Sequence, residues 1–124
     1  MTKFLSLIVG GAIGTVLRYL MSGWTYRIAG TSFPHGTFLV NVTGCFIIGF
    51  LVSVTEKKFL LSPNTRLLLM VGFCGAFTTF STFIMETSHL IKDGETLRAF
   101  VNVIVSVIIG FGLFRTGVLL GDLL

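Results

Sequence analysis

The sequence predicts an all-α integral membrane protein with four transmembrane helices, the third of them broken. Three observations carry this prediction. Of its 124 residues 53% are hydrophobic and only 11% are charged, less than half the ~25% charge of an ordinary soluble domain. Apolar runs of about the ~20 residues that cross a bilayer recur along the chain, and four such spans with their loops account for a single transmembrane domain over residues 1–124. The third run holds Gly72-Phe73-Cys74-Gly75-Ala76-Phe77-Thr78-Thr79-Phe80-Ser81-Thr82-Phe83. Glycine and β-branched residues are poor helix formers, and Ser and Thr offer the backbone competing hydrogen bonds. Broken backbone at membrane depth is tolerated only inside protein or along a water-filled path, so the segment points to transport.

Span one covers about residues 4–26. It follows Lys3 as a signal peptide would, but it outlasts an h-region of ~7–15 residues, contains Arg18 and lacks a small-x-small cleavage site. A retained span is expected. Gly10 and Gly14 form a Gly-x-x-x-Gly pair that lets helix backbones approach closely. Arg18 is a charge within a span and hence a functional candidate. It either faces an aqueous vestibule and attracts anions or snorkels to the interface with Arg27. Residues 27–34 form the first loop, with Gly30, Ser32 and Pro34 as breakers.

Span two covers about residues 35–55. Thr37, Asn41 and Gly44 or Cys45 share one helical face. A buried amide needs a partner, so Asn41 makes an interhelical hydrogen bond or lines a polar path. The second loop runs from Glu56 to Arg66, and Ser62-Pro63-Asn64 reads as the cap of the next helix. Span three covers about residues 67–89, with Glu86 near its end as an interfacial carboxylate. Lys92-Asp93-Gly94-Glu95 is a tight polar turn. Span four covers about residues 96–120, where Asn102, Ser106 and Gly110 recur every four residues on one face and Gly117 and Gly121 form a second close-packing pair. That polar stripe suits a bundle interface or one wall of a narrow pore.

In the third span Phe77, Phe80 and Phe83 are expected on one helix face, with Phe73 close to it. A ring edge is electropositive and can face an anion. Thr79, Ser81, Thr82 and Asn41 can donate hydrogen bonds. Such a site suits a small, hard anion that must shed water without being trapped by a full charge. A break near Gly75-Ala76-Phe77-Thr78 frees carbonyls of the kind that coordinate Na⁺ in membrane helices.

Other classes are excluded. Cys45 and Cys74 lie within apolar spans, His35 and His89 lie near span ends, and no metal-binding or redox spacing is present. Basic residues are scattered singly, which rules out a nucleic-acid surface. No nucleophile–base pair suggests an enzyme. One side of the membrane receives Lys3, Lys57, Lys58, Arg66 and Arg115; the other receives Arg27, Lys92 and Arg98, joined by Arg18 if it snorkels outward. The positive-inside bias is therefore weak, and insertion in both orientations is expected.

Across its whole length the sequence closely resembles the Fluc-type (CrcB family) fluoride channels. The resemblance rests on Gly10-Gly11-x-x-Gly14 with Arg18-Tyr19, on Gly36-Thr37-x-x-Val40-Asn41-x-x-Gly44-x-Phe46-x-x-Gly49, and above all on the run from Gly72 to Phe83. Ala76 stands where members often have a second glycine, and Asn102 where they often have tyrosine or another polar residue. The resemblance implies an antiparallel, dual-topology homodimer in the bacterial cytoplasmic (inner) membrane, with two fluoride pathways. It implies a structural Na⁺ at the dimer interface, held by the backbone carbonyls of Gly75 and Thr78 from both subunits. It implies ring edges of Phe80 and Phe83 turned to fluoride, Asn41 bonding near them, hydroxyls from Ser81, Thr82 and Ser106 along the path, and Arg18 near an aqueous entrance. It also implies passive export of fluoride that entered as neutral HF. Two rivals fare worse. A small multidrug antiporter needs a membrane-embedded carboxylate, and span one has no Asp or Glu. A non-transporting assembly subunit explains the glycines but not the donor stripe or the break.

Overall fold

The backbone polar groups of a lipid-embedded chain must be satisfied within the chain, and helices dominate the architecture. The structure, a computed structural model, describes residues 2–56 and 61–124. Lys57 and Lys58 of the topology argument lie outside the described residues. The elements are α1 (Thr2–Ala29), α2 (His35–Glu56), α3 (Pro63–Arg66), a π-helix (Leu67–Cys74), α4 (Gly75–Phe77), α5 (Phe80–Lys92) and α6 (Thr96–Asp122). They compose four spans long and apolar enough to cross a membrane, the third being the whole stretch Pro63–Lys92.

The ends of the spans follow local chemistry. α1 does not stop at Tyr26; Arg27 lies in its last turn. Gly30, at φ +80°, closes it by donating to the Tyr26 carbonyl at 3.0 Å, a left-handed cap that glycine adopts without strain. The third span starts at Pro63, with Ser62 as cap accepting from the Thr65 N–H at 3.2 Å. Arg66 then ties it to α2, donating to the Thr55 carbonyl at 3.0 Å and the Leu61 carbonyl at 3.3 Å. The Lys92–Glu95 turn closes through Gly94, also at φ +80°, with Glu95 N–H donating to the Leu90 carbonyl at 2.8 Å.

The spans pack as two parallel pairs, because the numbers of touching residues rise together along both partners. In the first pair, Gly10 of α1 lies against Leu68 and Phe73, and Gly14 against Phe73 and Phe77. In the second, Gly49 of α2 lies against Phe114 of α6, while Gly117 and Gly121 of α6 lie against Phe46, Phe50 and Ser53 of α2. At Gly10, Gly14, Gly49 and Gly117 an added methyl would overlap a backbone carbonyl oxygen of the facing helix. The glycine seams therefore set the interhelical distance. The Ser53 hydroxyl also donates to the Asp122 carboxylate, joining the second pair at its far end.

The third span breaks at Thr78–Thr79, not earlier. Gly75 keeps right-handed helical angles (φ −64°, ψ −33°), and α4 carries the helix through Phe77. Thr78 (φ −84°, ψ 157°) and Thr79 (φ −148°, ψ 117°) are extended. The break sits near the middle of the 30-residue span, which places it near the bilayer midplane.

Candidate ion pathway at the broken third span

The break is held by Asn41. Its Nδ2 donates to the Thr79 carbonyl at 3.0 Å, and its Oδ1 accepts the Thr79 N–H at 2.8 Å. Asn41 thus binds both backbone polar groups of Thr79 from α2, and the N–H that the break exposes finds its acceptor there. The Thr79 hydroxyl caps α5, accepting the Thr82 N–H at 3.2 Å and donating to Thr82 Oγ1 at 3.0 Å. Ser and Thr at a helix start satisfy such orphan amides.

Helical hydrogen bonds across the break are lost in this arrangement, those of the Thr79 and Thr82 amides among them. In an unbroken helix the Thr79 N–H would bond the Gly75 carbonyl, and the Thr82 N–H would bond the Thr78 carbonyl. Both donors are diverted, one to Asn41 and one to the Thr79 hydroxyl. The Gly75 and Thr78 carbonyls named for Na⁺ from resemblance are among those at the break whose helical amide partners point elsewhere. Hard oxygen ligands of that kind fit a small hard cation.

A groove of about 390 Å³ opens beside the break, lined by Asn41, Gly44, Cys45, Gly75, Thr78, Thr79, Phe80, Phe83 and Ser106 among others. Asn41 keeps its second Nδ2 proton free of Thr79. The Ser106 Oγ is buried without a protein partner. Phe80 and Phe83 meet at 5.9 Å between ring centres; Phe80 is 75% exposed in the single chain and Phe83 is 9% exposed. A second cavity of about 310 Å³ lies across Thr79, lined by Thr15, Arg18, Tyr19, Ser22, Thr37, Val40, Thr79 and Thr82. Thr82 accepts from Thr79 and keeps its own hydroxyl proton for that cavity. The site residues expected from sequence therefore divide: Asn41, Gly75, Thr78, Phe80, Phe83 and Ser106 line one cavity, and Arg18 and Thr82 line the other. Ser81 lines neither; its hydroxyl is 3.3 Å from that of Thr79 and it is exposed.

The expected single phenylalanine stripe is split. Phe77 is buried and stacks on Phe73 at 5.5 Å, whereas Phe80 pairs with Phe83, because the extended residues between them turn the chain. On α6, Asn102 is 1% exposed and donates to Thr87 Oγ1 at 2.8 Å, while Thr87 donates to the Phe83 carbonyl at 2.7 Å. Asn102 thereby braces the helix carrying Phe83. Glu86 is more than an interfacial carboxylate: its Oε1 accepts the Tyr26 hydroxyl at 2.8 Å and its Oε2 is buried without a partner. Among the described residues no group of three or more His, Cys, Asp or Glu could hold a metal.

A family described as "CrcB-like protein, Camphor Resistance (CrcB)" matches residues 5–118. The chain belongs to the CrcB family. Among its curated relatives, a protein of Maridesulfovibrio salexigens is 44% identical over 124 residues, covering 100% of this chain and 98% of the relative. One of Desulforapulum autotrophicum is 41% identical over 122 residues, 98% of each chain. One of Geotalea daltonii is 50% identical over 99 residues, 80% of each. All three are named fluoride-specific ion channel FluC. In this CrcB chain the π-helix and the role of Tyr26 were absent from the sequence reading. Tyr26 in the last turn of α1 and Thr37 in the first turn of α2 flank one short loop, a placement that brings them together, and the Tyr26 hydroxyl comes within 3.4 Å of Thr37 Oγ1; the π-helix has no comparable signal.

Proposed function

We propose that this protein is a fluoride-selective channel that lets fluoride leave a bacterial cell passively across the cytoplasmic membrane and so confers fluoride resistance. The observation that carries this reading is the groove at the Thr78–Thr79 break, which combines two phenylalanine rings with the Asn41 amide and the Ser106 hydroxyl and holds no ionised side chain. Ring edges and neutral donors replace part of the water around a small anion, yet release it again. The cavity beside Arg18 supplies a positive potential where a hydrated anion would gather. No bond is made or broken in such passage, so the protein is a channel and not an enzyme.

The active form is an antiparallel, dual-topology homodimer. In a lone chain the groove with Asn41, Thr78 and Thr79 in its wall would open toward lipid, which is unfavourable at this depth. A second copy covering the groove resolves that cost, and the near balance of Lys and Arg across the membrane gives only a weak preference for one orientation. Gly75 and Thr78 carbonyls of the two copies would hold a structural Na⁺ at the interface. The ion supplies positive charge that fixes the broken helices together.

The test is fluoride efflux from liposomes that contain only this purified protein, read with a fluoride electrode. Fluoride efflux with chloride retained is expected. No efflux, or equal passage of chloride, overturns the channel reading. Single-molecule photobleaching and reporter fusions at the C-terminus check the dimer and its mixed orientation; a monomer, or one clean orientation, removes that part.

A further inference from the structure

Asn41 holds Thr79, but the residue before it, Thr78, is gripped by something else. Gly44 lies one helical turn beyond Asn41 on α2 and lines the same groove. A methyl group built on Gly44 would overlap the γ-methyl of Thr78, closer than any real Cβ approaches a neighbour, and would lie 3.5 Å from the Phe77 ring. The missing side chain is therefore a notch, and the Thr78 methyl fills it. The Thr78 hydroxyl has a separate task, donating to the Cys74 carbonyl at 2.9 Å and closing the last turn before the break.

We infer that Gly44 is a positioning residue for the ion pathway: its notch seats the Thr78 methyl and, with the Asn41 amide on Thr79, sets the direction of the Thr78 peptide. Resting on the channel reading above, this explains how α2 fixes two consecutive extended residues. One is held by steric fit and the next by paired hydrogen bonds. The Thr78 carbonyl and the start of α5, with Phe80 as its first residue, take their orientation from that seat. A side chain at Gly44 must displace Thr78 from the notch, because the obstacle is a methyl two bonds from the backbone and not the end of a flexible chain.

The contact is between one hydrogen on Gly44 and one methyl on Thr78, so it can be tested by exchanging space across it. Gly44→Ala fills the notch; Thr78→Ser removes the methyl and keeps the hydroxyl that bonds Cys74. In liposome efflux, Gly44→Ala is expected to lose at least tenfold of the fluoride rate, and Gly44→Ala/Thr78→Ser to regain most of it. Gly23→Ala, where a methyl meets nothing within 4 Å, controls for a glycine-to-alanine change in a helix and should keep the wild-type rate. If Gly44→Ala does not fold, recovery of folded protein in the double variant supports the inference. A Gly44→Ala protein with wild-type flux, or a double variant no better than Gly44→Ala in flux or folding, overturns it. Absence of flux from the wild-type protein in the same assay instead refutes the channel reading.

Discussion

Replacing Asn41 by alanine should abolish most fluoride conduction while leaving the protein in the membrane. The substitution removes both side-chain bonds to the Thr79 backbone, the donor at 3.0 Å to its carbonyl and the acceptor at 2.8 Å from its N–H. The carbonyl, at the cap of α5, keeps the first bond of that helix, so the N–H is the group left unpaired, at a cost to the broken geometry of about 1–3 kcal/mol. At about 1.4 kcal/mol per factor of ten, this lowers the population of that geometry by a factor of roughly 5 to 150. The freed Thr79 N–H has a ready alternative in the Gly75 carbonyl, which would extend the first half-helix through the break. Fluoride efflux from liposomes reads the loss, and hydrogen exchange at the Thr79 amide reads the backbone change. Asn41→Asp provides a contrast: it keeps an acceptor for the Thr79 N–H, loses the donor to the carbonyl and adds a negative charge beside the path. It should lose conduction with Thr79 still protected from exchange. Efflux within about threefold of wild type for Asn41→Ala would refute the claim that this amide holds the break.

Three further outcomes are expected. Phe80→Ile and Phe83→Ile each remove a ring edge and should impair fluoride efflux with the protein still folded, as judged by size-exclusion chromatography; unchanged flux in both removes the phenylalanine mechanism. Gly117→Ala forces a methyl onto the Phe46 carbonyl oxygen and should destabilise by about 1–3 kcal/mol as overpacking does, lowering the melting temperature in detergent, whereas Gly112→Ala meets nothing within 4 Å and should not. Arg18→Gln should slow efflux most at low ionic strength. That difference should shrink as added salt shortens the screening length from ~10 Å at 0.1 M to ~3 Å at 1 M, and an effect independent of salt would argue against an electrostatic entrance.

Much of this architecture is legible in the sequence because the membrane leaves few choices. Apolar runs of sufficient length, the Ser62-Pro63 start and the Gly94 turn need only local chemistry, and the structure reproduces them. The glycines announce close packing, but not which helix they meet; the pairing of Gly49 with Phe114 and of Gly10 with Leu68 is tertiary. The break falls at the C-terminal end of the expected Gly75–Thr78 stretch and extends one residue beyond it, because glycine alone does not open the helix: Gly75 stays helical. The deciding events lie elsewhere: Asn41, far away in sequence, takes the Thr79 N–H, and the Thr79 hydroxyl caps the next helix. The same long-range capture splits the phenylalanines into two pairs. The π-helix is hidden because Leu67–Cys74 is almost uniformly apolar, and periodicity cannot be read where every position is alike.

The break at Thr78–Thr79 has one more consequence. Cutting one helix in two creates a negative pole, where the carbonyls of the first half end, and a positive pole, where the amides of α5 begin, each equivalent to roughly half an elementary charge. The two poles lie within two residues of each other. One cut therefore offers attraction to ions of either sign at the centre of the bilayer, with no proton to gain or lose. This polarity is written into the backbone, so it persists at any pH and in any state of the side chains around it.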